Sequence, residues 1–500
     1  MKNYHIAVLD VGKTNKKVLI YDQDLKVVDQ SIRSFDELTN GNLIFDDVEN
    51  IWEWFKEALK HFATQYDLKI ISVTTHGATF TCLDEEGELA VPEICYTTDP
   101  GPEFQQDFYR KFGDLEELQK TTATPPFDAL INMAKGIYFI KKKYPDGFYR
   151  VKHILNYPQF FGYKLTGIPG AEHTYVGCHT YLWDFESNEY SEVAHKLGII
   201  DLLPQEVKMP WEELGKVTPQ LAKELNLSPE TVVTMGIHDS NASLLPYTIQ
   251  MEGDFILNST GTWCVVMHEQ DQVSFQSDEL GKIVFYNINA FGKPVKTAIF
   301  LGGLEFDSYS KLFRRINDRT EYPGFNLAHY QRVIQEQSLF ILPSITKGTG
   351  QFPDSDPRII ENGKIYQYQE VESGENIPEF FKDFELAYAV LNISLVIQTS
   401  VALRRAGISK GVPIFTEGGF RKNNAYNSLL TALYPDSPVA TTNLDEATSF
   451  GAGILAKANL EKVTPLELKE TFQIEKNEVE RIDLPGLKDY IDKFNLYLSQ

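Results

Sequence analysis

The chain has 500 residues and a formal net charge of −23, set by 70 acidic against 47 basic side chains. That balance is a poor match for nucleic acid or an anionic membrane surface, whereas a small phosphate ligand needs only a few local amides, a lysine and a metal ion. Hydrophobic content of 42% and charged content of 23% describe an ordinary globular chain, long enough for two or three domains with large cores.

Four cysteines, Cys82, Cys95, Cys178 and Cys264, lie far apart with no CxxC pair, which fits reduced thiols and offers no zinc framework. Met1–His5 leads straight into an apolar strand without a signal-peptide pattern, and no apolar run approaches the ~20 residues that span a bilayer. A cytoplasmic protein with no membrane or nucleic-acid partner is the expectation.

The first element is a hairpin. Ile6–Leu9 and Val18–Ile20 are apolar runs around a polar centre that contains Gly12-Lys13-Thr14-Asn15. Gly12 permits close backbone approach, the amides and the Thr14 hydroxyl can meet phosphate oxygens, and Asp10 at the mouth of the turn can hold Mg²⁺ through water. A second copy of the pattern falls almost half a chain later, where Phe255–Thr260 and Trp263–Met267 flank Gly261 and Thr262. Two such hairpins, one per half, predict a duplicated α/β architecture that holds nucleotide.

Between them, Asp46–Glu49 precedes a helix with Ile51, Phe55, Ala58, Leu59 and Phe62 on one face. A buried strand Ile70–Val73 runs into Thr74-Thr75-His76-Gly77, the kind of polar turn where α/β proteins place ligand contacts. Thr79–Leu83 returns as a strand, and Tyr96–Gly101 opens a loop containing Asp99. Residues 104–203 read as mostly helical, an insertion suited to substrate contacts. Thr231–Met235 is a strand that breaks at Gly236-Ile237-His238-Asp239, and the boundary between halves is placed at Pro246. In the second half, a long helix over about 384–405 stops at Gly407. Val412–Phe415 then enters Glu417-Gly418-Gly419-Phe420 and Asn423, and a helix from Glu446 carries Gly451-Ala452-Gly453 for close packing.

In this order, these motifs resemble the FGGY family of carbohydrate kinases, within the actin-like ATPase superfamily, over nearly the whole chain from Asp10 to Ala456. Asp10–Thr14 is similar to the family's first phosphate motif and Ser259–Thr262 to its second. Gly236–Asp239 is similar to a Gly-x-x-Asp whose Asp is the catalytic base, and Gly418-Gly419 with Asn423 and Tyr426 to the adenine-side motif. Glu446-Ala447 with Gly451-Ala452, together with Lys135 and Tyr163–Gly167, also fits the pattern. Lys13 stands where relatives carry Thr or Ser, Phe420 replaces a third Gly, and Tyr96–Asp99 lacks the Arg of the Trp-x-Asp-x-Arg sugar motif.

The resemblance implies two actin-like (RNase H-like) domains with an interdomain active-site cleft. Residues 1–246 would carry the sugar site and first phosphate hairpin, and residues 247–500 the nucleotide site. It implies ATP and Mg²⁺ as cofactors and a homodimer as assembly. Asp239 would be the general base. Asp10 would hold the metal, and Gly12, Lys13, Thr14, Asn15, Gly261, Thr262, Gly418, Gly419 and Asn423 the nucleotide. Thr75, His76, Gly77, Asp99 and Asp239 would meet the sugar. The expected reaction is ATP-dependent phosphorylation of a small ketose, of L-fuculose, L-rhamnulose or xylulose type, at a terminal or near-terminal hydroxyl. Two other classes stay open at this point, an actin-like ATPase that moves a partner and a sugar sensor without kinase activity. Lys17 is a source of extra charge or a plain surface lysine, His238 an orienting neighbour of Asp239, and Glu446 a structural residue at its helix start.

Overall fold

A computed structural model describes residues 4–41, 43–346, 348 and 350–499. Met1–Asn3, read above as leading into the first strand, lie outside the described residues, as do Lys347 and Thr349 of the Pro343–Pro357 loop. The chain clusters into two units. One comprises 1–252, 269–295 and 446–474, and the other 253–268, 296–445 and 475–500. Pro246 lies inside the helix Asp239–Gln250, and the first unit takes back two later segments because their apolar faces complete its core.

The first unit is built on a mixed sheet. The hairpin strands His5–Val11 and Asn15–Tyr21 pair antiparallel, with Asp10 opposite Lys17 and Val11 opposite Lys16. His5–Val11 also runs parallel to Leu68–Thr75, which in turn runs parallel to Val232–Thr234 and to the two-residue strand Ile237–His238. These central strands are buried on both faces, as their continuous apolar runs require. Helix Val48–Ala63 is capped by Asp47, whose carboxylate accepts from Asn50 N. It buries Ile51, Phe55, Leu59 and Phe62 beneath the sheet, each side chain contributing roughly 1.5–3 kcal/mol. Thr79–Leu83 does not join this sheet: Phe80–Leu83 pairs with His153–Asn156 at the base of the helical insertion.

Helix Ala447–Glu461 belongs to this unit although it lies near the end of the chain. A Cβ on Gly451 would lie 2.0 Å from Ala242 O, so only glycine lets this helix approach Asp239–Gln250 so closely.

The second unit repeats the plan. Ile256–Thr260 pairs antiparallel with Cys264–Glu269 and parallel with Ile414–Gly418, which runs parallel to Val439–Thr442. Its core is organised by helix Phe384–Arg405, apolar on all sides. By length and composition this helix could cross a membrane, which corrects the expectation of no such segment. Its most apolar window is 89% buried within the protein, the pattern of a core helix. All four cysteines are free and buried.

Candidate active site

In the first unit, the parallel strands His5–Val11, Leu68–Thr75 and Ile237–His238 end together, and their following turns carry the polar residues. Asp10 ends up buried and opposite Lys17, but Lys17 Nζ turns to Glu446 Oε2 at 2.6 Å. Burial therefore dominates Asp10 and pushes its carboxyl up to about 7, with Lys17 opposing and Asp239 and Glu446 adding to the rise.

Asp239 opens helix Asp239–Gln250, with its side chain 32% exposed. Its Oδ1 accepts from Ser240 N at 2.6 Å and Ser240 Oγ at 3.2 Å, and lies 3.1 Å from His238 Nε2. Burial raises its carboxyl above the usual range, partly offset by His76 and by the two Ser240 hydrogen bonds. An acid beside other carboxylates, raised yet reachable, is suited to taking a proton.

The hairpin tip divides into two parts. Gly12, Thr14 and Asn15 are half-buried or exposed, with Asn15 Oδ1 accepting from Ser34 Oγ at 2.9 Å. Lys13, expected to reach phosphate or solvent, instead places Nζ 2.7 Å from Glu37 Oε1, 2.9 Å from Asp46 Oδ1 and 2.9 Å from Cys95 Sγ, over the Tyr96 ring. Glu37, Asp46 and Cys95 form the sort of cluster that could hold a metal ion, and the lysine ammonium serves it as the cation.

The expected sugar-side residues behave differently from one another. His76 is buried, with Nδ1 donating to Val11 O at 3.0 Å and Nε2 accepting from Thr79 Oγ1 at 2.9 Å, so both ring nitrogens are engaged within the chain. Burial lowers its pKa, opposed by Asp46 and Asp239. Thr75 Oγ1 donates to His76 O. Asp99 is exposed and accepts from Gly101 N at 2.8 Å, shaping the turn into helix Pro102–Phe112. Gly77 lies beside two imidazoles: a Cβ there would be 2.9 Å from His238 Nε2 and 3.2 Å from His179 Nε2. His179, absent from the sequence reading, has φ of +42° and packs edge-on to Phe127 and Phe285, two aromatics of the insertion and of a later segment. No local motif marks it.

In the second unit, Thr260 Oγ1 donates to Glu417 O and accepts from Phe420 N at 2.9 Å, tying the second hairpin to the Gly418-Gly419 turn. Gly261 and Thr262 are exposed, as are Gly418 and Gly419. Asn423 caps helix Asn424–Leu433 by accepting from Tyr426 N, and donates to Asn392 Oδ1 at 2.7 Å. Beside them lies a cavity of about 210 Å³ walled by Phe306, Tyr322, Tyr388 and Phe420, with Gly419 and Asn423 at its edge. Phe420, which stands where the resemblance expects a third glycine, packs against Phe306 with ring centroids 5.3 Å apart. An aromatic slot of this size suits a flat heterocycle.

The sequence matches the N-terminal domain of the FGGY family of carbohydrate kinases over residues 5–246, and the C-terminal domain of carbohydrate kinase FGGY over 252–464. The chain belongs to the FGGY family of carbohydrate kinases. Among curated proteins it is similar to a rhamnulokinase of Halalkalibacterium halodurans, 24% identical over 275 residues, which is 53% of this chain and 56% of that relative. The aligned part thus spans little more than half the relative's length. Among solved structures, a carbohydrate kinase from Novosphingobium aromaticivorans has a TM-score of 0.78 at 25% identity, covering 100% of this chain and 99% of that one. A xylulose kinase from Lactobacillus acidophilus shares the fold, with a TM-score of 0.81 at 18% identity and coverage of 99% and 97%. FGGY sugar kinases use ATP with Mg²⁺.

Proposed function

We propose that the protein phosphorylates a small ketose at a terminal or near-terminal hydroxyl, with ATP as donor and Asp239 as general base. The observation that carries this reading is the pairing within the first unit of two partly uncompensated carboxylates, Asp10 behind the phosphate hairpin and Asp239 at the head of a helix. Phosphoryl transfer needs a base for the acceptor hydroxyl, fixed donors for the phosphate oxygens and a cation among them. Asp239 takes the hydroxyl proton as the oxygen attacks. In the first unit, the backbone at Gly12 and Thr14 offers donors for phosphate oxygens. In the second, the backbone at Gly261 and Thr262 offers its own, and the aromatic cavity beside Gly419 takes the adenine.

The donor set around Asp10 fits Mg²⁺. It is a hard oxygen ligand, buried, with its nearest lysine drawn to Glu446, so that site carries excess negative charge. When bound, the ion offsets charge on the phosphates. Lys13 serves as a structural cation for Glu37 and Asp46 in this reading, and His76 and Thr75 shape the sugar pocket without donating to the sugar.

The likeness to a rhamnulokinase, together with the Gly-Lys-Thr-Asn hairpin and the missing sugar-motif Arg, favours a deoxy-ketohexose such as L-rhamnulose or L-fuculose over xylulose. A cytoplasmic homodimer accompanies this reading. A coupled ADP assay across ketoses and polyols tests it. ADP release should rise with one or a few ketoses, and a panel in which none raises it would overturn the proposal.

A further inference from the structure

The residue preceding Asp239 is held more tightly than a neighbour in a turn needs to be. His238 is 4% exposed, and its backbone N donates to Thr174 Oγ1 at 3.0 Å. The ring is clamped edge-on by Tyr175 and His179, at centroid distances of 5.9 Å and 6.4 Å. Gly77 leaves room for Nε2, since any side chain there would meet it. Nδ1 lies 3.2 Å from Asn241 Nδ2, one helical turn on, and Nε2 lies 3.1 Å from Asp239 Oδ1.

These contacts decide the tautomer. Burial pushes His238 down to about 3, so the imidazole is neutral and carries one proton. A bare Nε2 would face the Asp239 carboxylate oxygen lone pair to lone pair, so the proton sits on Nε2. Nδ1 must then accept, and the amide NH₂ of Asn241 is the group that can donate to it. Cys178 Sγ, 3.6 Å from Nε2, is a weak second neighbour whose thiol burial keeps protonated. With Ser240 N, Ser240 Oγ and His238 Nε2 all directed at Oδ1, that oxygen is saturated, while Oδ2 accepts no hydrogen bond among the described residues.

We propose that His238 is a positioning residue: fixed as the Nε2–H tautomer by Asn241, it donates to Asp239 Oδ1 and leaves Oδ2 as the oxygen that receives the sugar's proton. This rests on the reading of Asp239 as the base. It also gives Gly77 a role of its own, which is to make space for the imidazole. The other groups that face this pair include Asp10, His76, Tyr96, Cys178, Tyr175 and His179. Losing a charge-assisted hydrogen bond of this kind costs about tenfold or more in rate.

The test has two arms on the full-length protein. In ¹⁵N-histidine-labelled protein, the His238 signal, assigned by its absence from His238→Gln, should show the Nε2–H tautomer at neutral pH. An Nδ1–H tautomer or an imidazolium would overturn the proposal without any substrate being needed. In the ADP assay with the best ketose, His238→Leu should lower kcat about tenfold or more, with KM for ATP and sugar within about twofold. His238→Gln, whose amide NH₂ can donate in place of Nε2–H, should recover most of the loss. Equal loss in both variants would reduce His238 to packing, and no loss in His238→Leu would remove its role altogether. Asp239→Asn separates the two ideas. If it keeps wild-type turnover, the base assignment fails. If it is inactive while His238→Leu is not, only the positioning role fails.

Discussion

Lys17 Nζ lies 2.6 Å from Glu446 Oε2, on the first residue before helix Ala447–Glu461, although Asp10 is its cross-strand partner in the hairpin. Glu446 thus draws the nearest cation from Asp10 and adds its own negative charge. The sequence reading treated Lys17 and Glu446 as unrelated residues; burial is the main cause of Asp10's raised carboxyl, Lys17 opposes it, and Glu446 adds to it.

A stability cost follows. Asp10 titrates at about 7 when folded against an ordinary 3.8, so the folded state binds its proton more tightly than the unfolded state does. The penalty is absent below the ordinary value, grows as pH rises between the two, and is complete above about 7, where it reaches at most ~4 kcal/mol. Asp10→Asn should therefore raise Tm over wild type at about pH 8 and much less at about pH 5. Calorimetry at the two pH values checks this, and an equal shift at both would mean Asp10 is not the group responsible.

Lys13 separates the family motif from this chain's own packing. Glu37, Asp46 and Cys95 reach it, and Asp46 has only 4% of its side chain exposed. Lys13→Met leaves that carboxylate without its closest cation, and stability should fall by ~3 kcal/mol, at the low end for broken buried pairs because Lys13 itself is 26% exposed. ATP affinity, measured by calorimetry on the folded fraction, should stay within a few-fold of wild type. A large loss of ATP affinity with little change in Tm would return Lys13 to the phosphate site.

Gly261 is exposed, and a Cβ there would meet nothing nearer than Trp263 O at 3.8 Å. The fold does not require glycine at this position, so a side chain should be tolerated in the protein alone. Gly261→Val should keep the wild-type circular dichroism and Tm while weakening ATP binding tenfold or more, by ~1.4 kcal/mol. Unchanged affinity would make the second hairpin purely structural.

Local patterns made the two hairpins, the capped helix at Val48 and the helix at Phe384 legible, because apolar period and turn residues lie side by side in the chain. The helix start at Asp239 was legible through the Gly break before it. The surroundings of Lys13 were not, because Asp46 and Cys95 stand 33 and 82 residues away and only the folded sheet brings them to the hairpin. His76 looked free for a sugar because nothing local shows that Val11 O and Thr79 Oγ1 occupy its ring. The return of segments 269–295 and 446–474 to the first unit has no local mark in the chain, being a property of tertiary packing.

The central claim, sugar phosphorylation through Asp239, is tested most directly by sugar-dependent ADP release in wild type and Asp239→Asn, with ATP affinity measured on both. Asn keeps the shape and removes the proton acceptor, so kcat should fall by at least about a hundredfold while the Kd for ATP barely changes. A variant that turns over the same sugar at near the wild-type rate would contradict the account.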